Sequence, residues 1–256
     1  MISKSQISYI KSLHQKKFRK EHQQFIVEGD KLCDEFLESG FKVQAIYVLE
    51  QKREKYELLL SKISKKIELL VLRAEEMDKL SNMSTSPDVL CLVDIPAEVP
   101  VSNITMEELS NSLVLVLDGV KDPGNMGTII RIADWFGVKH IVCSNDCVEL
   151  YNPKVVQSTM GSILRTTVYY TELDSFLKNN DDQNIYGALL KGENVYSLTG
   201  KMRGVLVMGS ESHGISQEIL PLINKPITIP SFGEAESLNV AMATGILCSE
   251  AKRREI

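Results

Sequence analysis

The 256-residue sequence has no apolar run approaching the roughly 20 residues that a membrane-spanning helix requires. Its opening stretch, MISKSQISYIKSLHQKK, lacks an apolar core followed by a cleavage site. Metal-ligand patterns are missing too. There are four His and five Cys, and no second close Cys pair accompanies Cys143 and Cys147. The scattered thiols of Cys33, Cys91, Cys143, Cys147 and Cys248, odd in number, exclude a disulfide framework and read as reduced. These absences lead us to expect a cytoplasmic protein with no membrane partner and no metal. Three catalytic signatures are also absent. There is no GxGxxG after a strand, no GxxxxGK[ST] and no GxSxG. Hydride transfer, P-loop ATP hydrolysis and serine esterase chemistry therefore lack their marks.

What is present is 43% apolar and 25% charged, the balance of a folded globular chain of one large domain or two modest ones. The net charge of −5 argues at first against a nucleic-acid partner, but it is unevenly spread. Residues 1–66 carry 14 Lys and Arg against 9 Asp and Glu, whereas the remainder carries 15 against 25. Lys4, Lys11, Lys16, Lys17, Arg19, Lys20 and Lys31 crowd the start. That cluster is either a phosphate-contacting surface or a solvated basic helix.

Strand and helix patterns alternate over residues 1–95 and predict a small α/β domain, opening with a helix over residues 3–20. Residues 96–112, with Pro96 and Pro100, read as a linker. A second α/β domain follows over 113–256. Its first strand, LVLVL at 113–117, is apolar throughout, as in a parallel sheet covered on both faces. Residues 152–161 are expected to form a lid or a partner surface. Trp135 is expected in the core or at a subunit interface, and Tyr9 and Phe18 in helix packing.

Three loops of this second domain follow strands: residues 118–127, 209–214 and 230–239. In a parallel sheet, loops after strand carboxyl ends gather on one edge and make the binding crevice. Each loop carries glycine and polar or acidic side chains. The third runs from a short strand at 227–229, stopped by Pro230, to a helix rich in small residues. Ser237 and Asn239 stand where loop gives way to helix. That junction suits either an anionic ligand edge or a capping turn.

Order, spacing and content of these loops resemble one family. DPGNMGTIIR at 122–131, MGSESHGI at 208–215 and IPSFGEAESLNV at 229–240 are similar to the three motifs of the SpoU, or TrmH-type, RNA ribose 2'-O-methyltransferases. A weaker resemblance, carried by FIVEG at 25–29, links the first domain to a ribosomal-protein-like RNA-binding domain. The resemblance implies an α/β fold with a trefoil-knotted parallel-sheet methyltransferase domain behind a small RNA-binding domain. It implies S-adenosylmethionine as cofactor, held around Met208, Gly209, Ile229, Ser237 and Leu238, and a homodimer with active sites near the subunit interface. Asn125, Arg131, Glu211 and Asn239 fall on its catalytic positions. Gln157 departs from the pattern, standing where relatives often carry a basic residue.

A guanidinium stays protonated at neutral pH, so Arg131 is expected to bind phosphate and stabilise a developing alkoxide rather than act as base. Asn125 is expected to orient the ribose or its own loop. Glu211 either locks its loop or helps organise the nucleophile. Asn239 either bonds a residue of the first motif or caps the last helix. The implied function is methyl transfer to structured RNA, ribosomal RNA favoured. The alternatives are transfer RNA as substrate, or a catalytically silent RNA-binding or ribosome-assembly protein.

Overall fold

The computed structural model describes residues 2–63 and 67–256. Lys65 and Lys66, counted in the basic part of the sequence, lie outside the described residues. The chain divides into two compact units: residues 1–97 with 151–164, and residues 98–150 with 165–256.

In the first unit the helix expected over 3–20 is two helices, α1 (Lys4–Ser12) and α2 (Lys16–His22). Ser3 caps α1 through a reciprocal box with Gln6. After them come β1 (Gln24–Glu28), α3 (Asp30–Glu38), β2 (Val43–Leu49) and α4 (Arg53–Leu60). β3 (Glu68–Leu72), α5 (Ala74–Leu80) and β4 (Val89–Asp94) complete the series. The four strands form one sheet in the order β1-β4-β2-β3. β4 runs antiparallel to both neighbours, and β2 and β3 are parallel. One core joins Ile10, Leu13, Ile26, Tyr47, Met77 and Leu90.

The break between α1 and α2 corrects the expected basic surface. Arg19 is 2% exposed, and its Nη1 donates to the Leu13 carbonyl, 2.6 Å away, at the end of α1. It ties the helix pair together and is not a surface phosphate ligand. Lys16, Lys17 and Lys20 remain exposed. Tyr9 and Phe18 are used in packing, as expected: both rings contact His22, and the Tyr9 hydroxyl donates to Gln24.

The second unit begins with α6 (Met106–Asn111), capped by Thr105, and β5 (Leu113–Leu117). Residues 98–112 therefore do more than link. Ile104 and Leu109 are buried in the second unit's core with Val116, Val142 and Val207. α7 (Pro123–Trp135) and β6 (His140–Ser144) follow. α8 (Pro153–Thr159), expected from sequence within the second domain, groups by its contacts with the first unit. Val155 and Val156 of α8 are buried, and the Tyr151 ring lies 4.7 Å from that of Phe25 in β1. These apolar contacts pack one side of 151–164 into a core, with Met160 left exposed.

β7 (Thr167–Thr171), α9 (Leu173–Lys178), β8 (Ile185–Asn194) and β9 (Gly204–Met208) continue the second unit. β10 (Lys225–Thr228) and α10 (Val240–Arg253) end it. The sheet is six-stranded, β10-β8-β9-β5-β6-β7, and every pairing is parallel. β10 starts and ends earlier than the 227–229 run suggested. Pro226 lies within it, which an edge strand tolerates because one side needs no N–H donor. β5 and β9 are neighbours, whereas β10 lies three strand spacings from β5, about 14 Å. The loop after β10 crosses that gap, and α10 then packs against α7.

Candidate active site

The first motif is less loop than the sequence suggested. Asp122 accepts the Asn125 backbone N–H at 2.8 Å and Pro123 takes the first helical position, so α7 begins five residues earlier than expected. An acidic cap followed by proline is a strong helix start, and here it outweighs the glycines at 124 and 127. The true loop, 118–122, turns at Gly119, whose φ of +73° suits glycine.

That loop is held from a direction the sequence did not flag. The Gly119 N–H donates to Ser144 Oγ at 2.9 Å, and the Val120 N–H donates to Cys147 Sγ at 3.2 Å. Ser144 in turn donates to Asp146 at 2.6 Å, and Lys121 pairs with Asp146 at 3.4 Å. The Ser144 hydroxyl, then Lys121, holds the Asp146 carboxyl below its ordinary range. Cys143, Ser144 and backbone donors bring the Cys147 thiol down to about 7 despite its burial, while burial pushes Cys143 up. All five cysteines are free and buried, and among the described residues no cluster of His, Cys, Asp and Glu could hold a metal ion.

At the carboxyl edge of the sheet, three of the four expected catalytic residues meet. Asn125 Nδ2 donates to Glu211 Oε1 at 2.7 Å. Asn239 Nδ2 donates to Asn125 Oδ1 at 2.9 Å. Asn239 Oδ1 simultaneously accepts the N–H groups of Ala241 and Met242, at 2.9 and 3.2 Å. Asn239 thus does both things open from sequence: it caps α10 and it bonds a first-motif residue. The bond network fixes each amide: a donor faces the carboxylate, a carbonyl faces the other amide, and no rotated assignment satisfies all four contacts.

Arg131 does not join them. It is exposed, and among the described residues its side chain has no hydrogen-bond or ion-pair partner. Six residues along α7 from Asn125, it faces about 120° away around the helix axis. It shares that face with Gly124, Thr128 and Trp135. Trp135 is 83% exposed, so it is not a core residue.

The residues expected around the cofactor fall in two groups. Met208 is buried at the end of β9 and Gly209 follows it. Ile229, Ser237 and Leu238 belong to the third loop, where Ser237 and Leu238 are exposed. Among the described residues, no backbone–backbone hydrogen bond involves 229–238. The Ile229 and Gly233 carbonyls accept the Thr228 and Ser231 hydroxyls. The other N–H and C=O groups of the segment are the complement that a purine edge and an amino-acid moiety need, so the residues present fit a nucleoside-containing ligand. The His213 backbone N–H donates to Ser210 Oγ at 3.2 Å, a loop bond that does not use its imidazole.

A parallel α/β sheet with three motif loops interlocked at its carboxyl edge, preceded by a second α/β unit, defines the class. Residues 112–249 match the model of the SpoU rRNA methylase family. The chain belongs to that family. Residues 4–91 match an MRM3-like substrate-binding domain. The 23S rRNA (guanosine(2553)-2'-O)-methyltransferase RlmP of Bacillus subtilis is 29% identical over 93% of this chain and 92% of its own length. A solved structure from Porphyromonas gingivalis, assigned to the TrmH family of RNA methyltransferases, is 34% identical over 99% of both chains, with a TM-score of 0.84. An AdoMet-bound rRNA methyltransferase from Sinorhizobium meliloti is 26% identical over 100% of this chain and 97% of that one, with a TM-score of 0.87.

Proposed function

We propose that this chain transfers a methyl group from S-adenosylmethionine to a ribose 2'-hydroxyl of structured RNA, with ribosomal RNA the substrate in preference to transfer RNA. The observation that carries this reading is the Asn125–Glu211–Asn239 network, which joins loops 86 and 114 residues apart at one sheet edge. The family, the rRNA-directed relative and the match of residues 4–91 to a substrate-binding domain support the choice of ribosomal RNA.

Met208, Gly209, Ile229, Ser237 and Leu238 would hold the cofactor, with the third loop threaded in the knotted manner the family implies. When bound, it supplies an electrophilic sulfonium methyl. The chain supplies alignment. Asn125 has its amide locked at both ends, so it presents a fixed surface to a ribose. Glu211 spends one carboxylate oxygen on Asn125 and keeps the other as an open acceptor. Arg131, always charged, offers a bidentate fork to a phosphate and stabilises charge on the attacking oxygen. Transfer between two aligned partners needs positioning and exclusion of water more than it needs a strong base.

A second copy of the chain is the partner we assign to the outer face of α7 and α10. Exposed Met242 (62%) lines a groove of about 350 Å³ there, with Ile132, Gly245 and Ile246. Trp135 lies exposed on α7, and Leu238 lies exposed in the loop just before α10. Sedimentation equilibrium checks this; a monomer at micromolar concentration would overturn it.

The test of the activity is transfer of labelled methyl to total ribosomal and transfer RNA, with digestion to locate methylated ribose. Label in ribosomal RNA, lowered at least 100-fold in Arg131→Ala and not restored by Arg131→Lys, is the expected result. Label in transfer RNA alone would change the substrate. Cofactor binding with no transfer to either RNA, or to ribosomal particles, would leave a silent RNA-binding protein.

A further inference from the structure

We propose that Asp118, at the carboxyl end of β5, is a positioning residue that aims the Glu211 loop at Asn125; its consequence for catalysis rests on the methyltransferase reading above. The sequence motifs did not single it out. Its carboxylate is buried, with 8% of the residue exposed. Oδ2 accepts the Ser216 N–H at 2.7 Å, and the residue's own N–H donates to the Met208 carbonyl at 2.9 Å. Met208 leads into the second loop and Ser216 leads out of it, so one residue holds both ends.

Between those ends the loop is closed on itself. Ser210 and Gly214 exchange backbone hydrogen bonds of 2.9 and 3.0 Å. At Gly209 an added Cβ would stand 2.1 Å from the Gly214 carbonyl carbon and 2.2 Å from the Ile215 nitrogen, a distance no side chain tolerates. The loop is therefore a tight ring with little freedom to flex internally, and what remains adjustable is its tilt. Two side-chain hydrogen bonds join this ring to the first-motif segment: Asp118 at its base and Asn125, seven residues later, at its rim. The base bond sets the tilt, and the tilt decides whether Glu211 reaches Asn125. A carboxylate suits the task because a charged acceptor makes a stronger, shorter bond to an N–H than an amide does.

The experiment is a mutant cycle on the full-length chain. Methyl transfer kinetics, S-adenosylmethionine binding by calorimetry and thermal melting are measured for wild type, Asp118→Ala, Asp118→Asn, Glu211→Ala and Asp118→Ala/Glu211→Ala. We expect Asp118→Ala to lower kcat at least tenfold with a smaller change in KM. Asp118→Asn, whose amide oxygen still accepts the Ser216 N–H, should recover most of that loss. In the Glu211→Ala background, Asp118→Ala should cost less than twofold further. Losses that multiply in the double variant would overturn the proposal, as would Asp118→Asn being as impaired as Asp118→Ala. If Asp118→Ala does not fold, Asp118→Glu replaces it in the cycle, since it keeps the charge and displaces the acceptor by one methylene. Amide hydrogen exchange separates this idea from the activity it rests on. If wild type methylates no RNA, the methyltransferase reading fails, yet faster exchange confined to 209–216 in the Asp118 variant still upholds the positioning role. Unchanged exchange there overturns it.

Discussion

At the scale of single residues, Asn239 carries two loads that a substitution separates poorly. Asn239→Ala removes the cap of α10, which costs about 1 kcal/mol of stability. It also leaves Asn125 Oδ1 without its donor, the amide then being held only through Glu211. Asn239→Asp keeps the cap acceptor but puts a carboxylate against Asn125 Oδ1, where the amide donated at 2.9 Å. We expect Asn239→Ala to lose both melting temperature and activity, and Asn239→Asp to keep most of its melting temperature while still losing activity more than tenfold. Melting curves and methyl transfer on the same samples check this; activity retained in Asn239→Asp would show that the bond to Asn125 does not matter. Residue types at the site were legible in the sequence because two amides and a carboxylate stood in loops after strands, with an arginine on the helix that follows the first. Burial of single charges was not. Nothing local told Arg19 from Lys20 or Asp118 from Asp122. Each is distinguished by one backbone group that folding delivers from elsewhere, the Leu13 carbonyl and the Ser216 N–H.

At the scale of elements, α3 and α4 are fastened by a polar clamp rather than by apolar contact alone. Asp30 receives Lys52 and Lys55 at 2.8 and 2.7 Å, and the buried Tyr56 hydroxyl donates to Asp30 and Asp34, both at 2.8 Å. Burial alone would raise the Asp30 carboxyl, but bonds from Lys52, Lys55 and Tyr56 outweigh it and hold the pKa at about 2. An unfolded Asp titrates near ~3.9. A depressed native value means that the unfolded chain takes up protons first. The clamp's contribution is therefore full above about pH 4 and is lost as pH falls toward about 2. Denaturant melts between pH 2 and 5 should show wild type losing stability through that window more steeply than Asp30→Asn; parallel curves would remove Asp30 from the account. Most strands were legible from apolar runs, and the start of α7 was available in Asp122-Pro123. The glycines after it hid the helix because tertiary context, not propensity, keeps Gly124 and Gly127 helical. The placement of α8 was invisible because it depends on packing against β1, more than 120 residues earlier.

At the scale of the whole molecule, the uneven charge predicts how RNA is held. An acidic second part gains little from phosphates, so the exposed Lys16, Lys17 and Lys20 are expected to carry the salt-dependent part of binding. Reversing all three to Glu should weaken RNA affinity at least tenfold and flatten its dependence on salt, with cofactor affinity unchanged. Filter binding across a salt series measures it, and an unaltered slope would exclude that surface.

The bond between Asn239 and Asn125 has one further consequence, in time rather than in space. One partner, Asn239, follows β10 and caps α10, so the bond forms only after β10 has reached the sheet edge and α10 has begun. On the proposed reading, competence waits for residue 239. A nascent or clipped polypeptide ending before that residue would, on the same reading, carry Lys16, Lys17 and Lys20, the surface expected to hold RNA, while lacking the contact that completes the proposed site. Synthesis would thus deliver an affinity first and a reaction afterwards, so that no half-made copy modifies the RNA it touches.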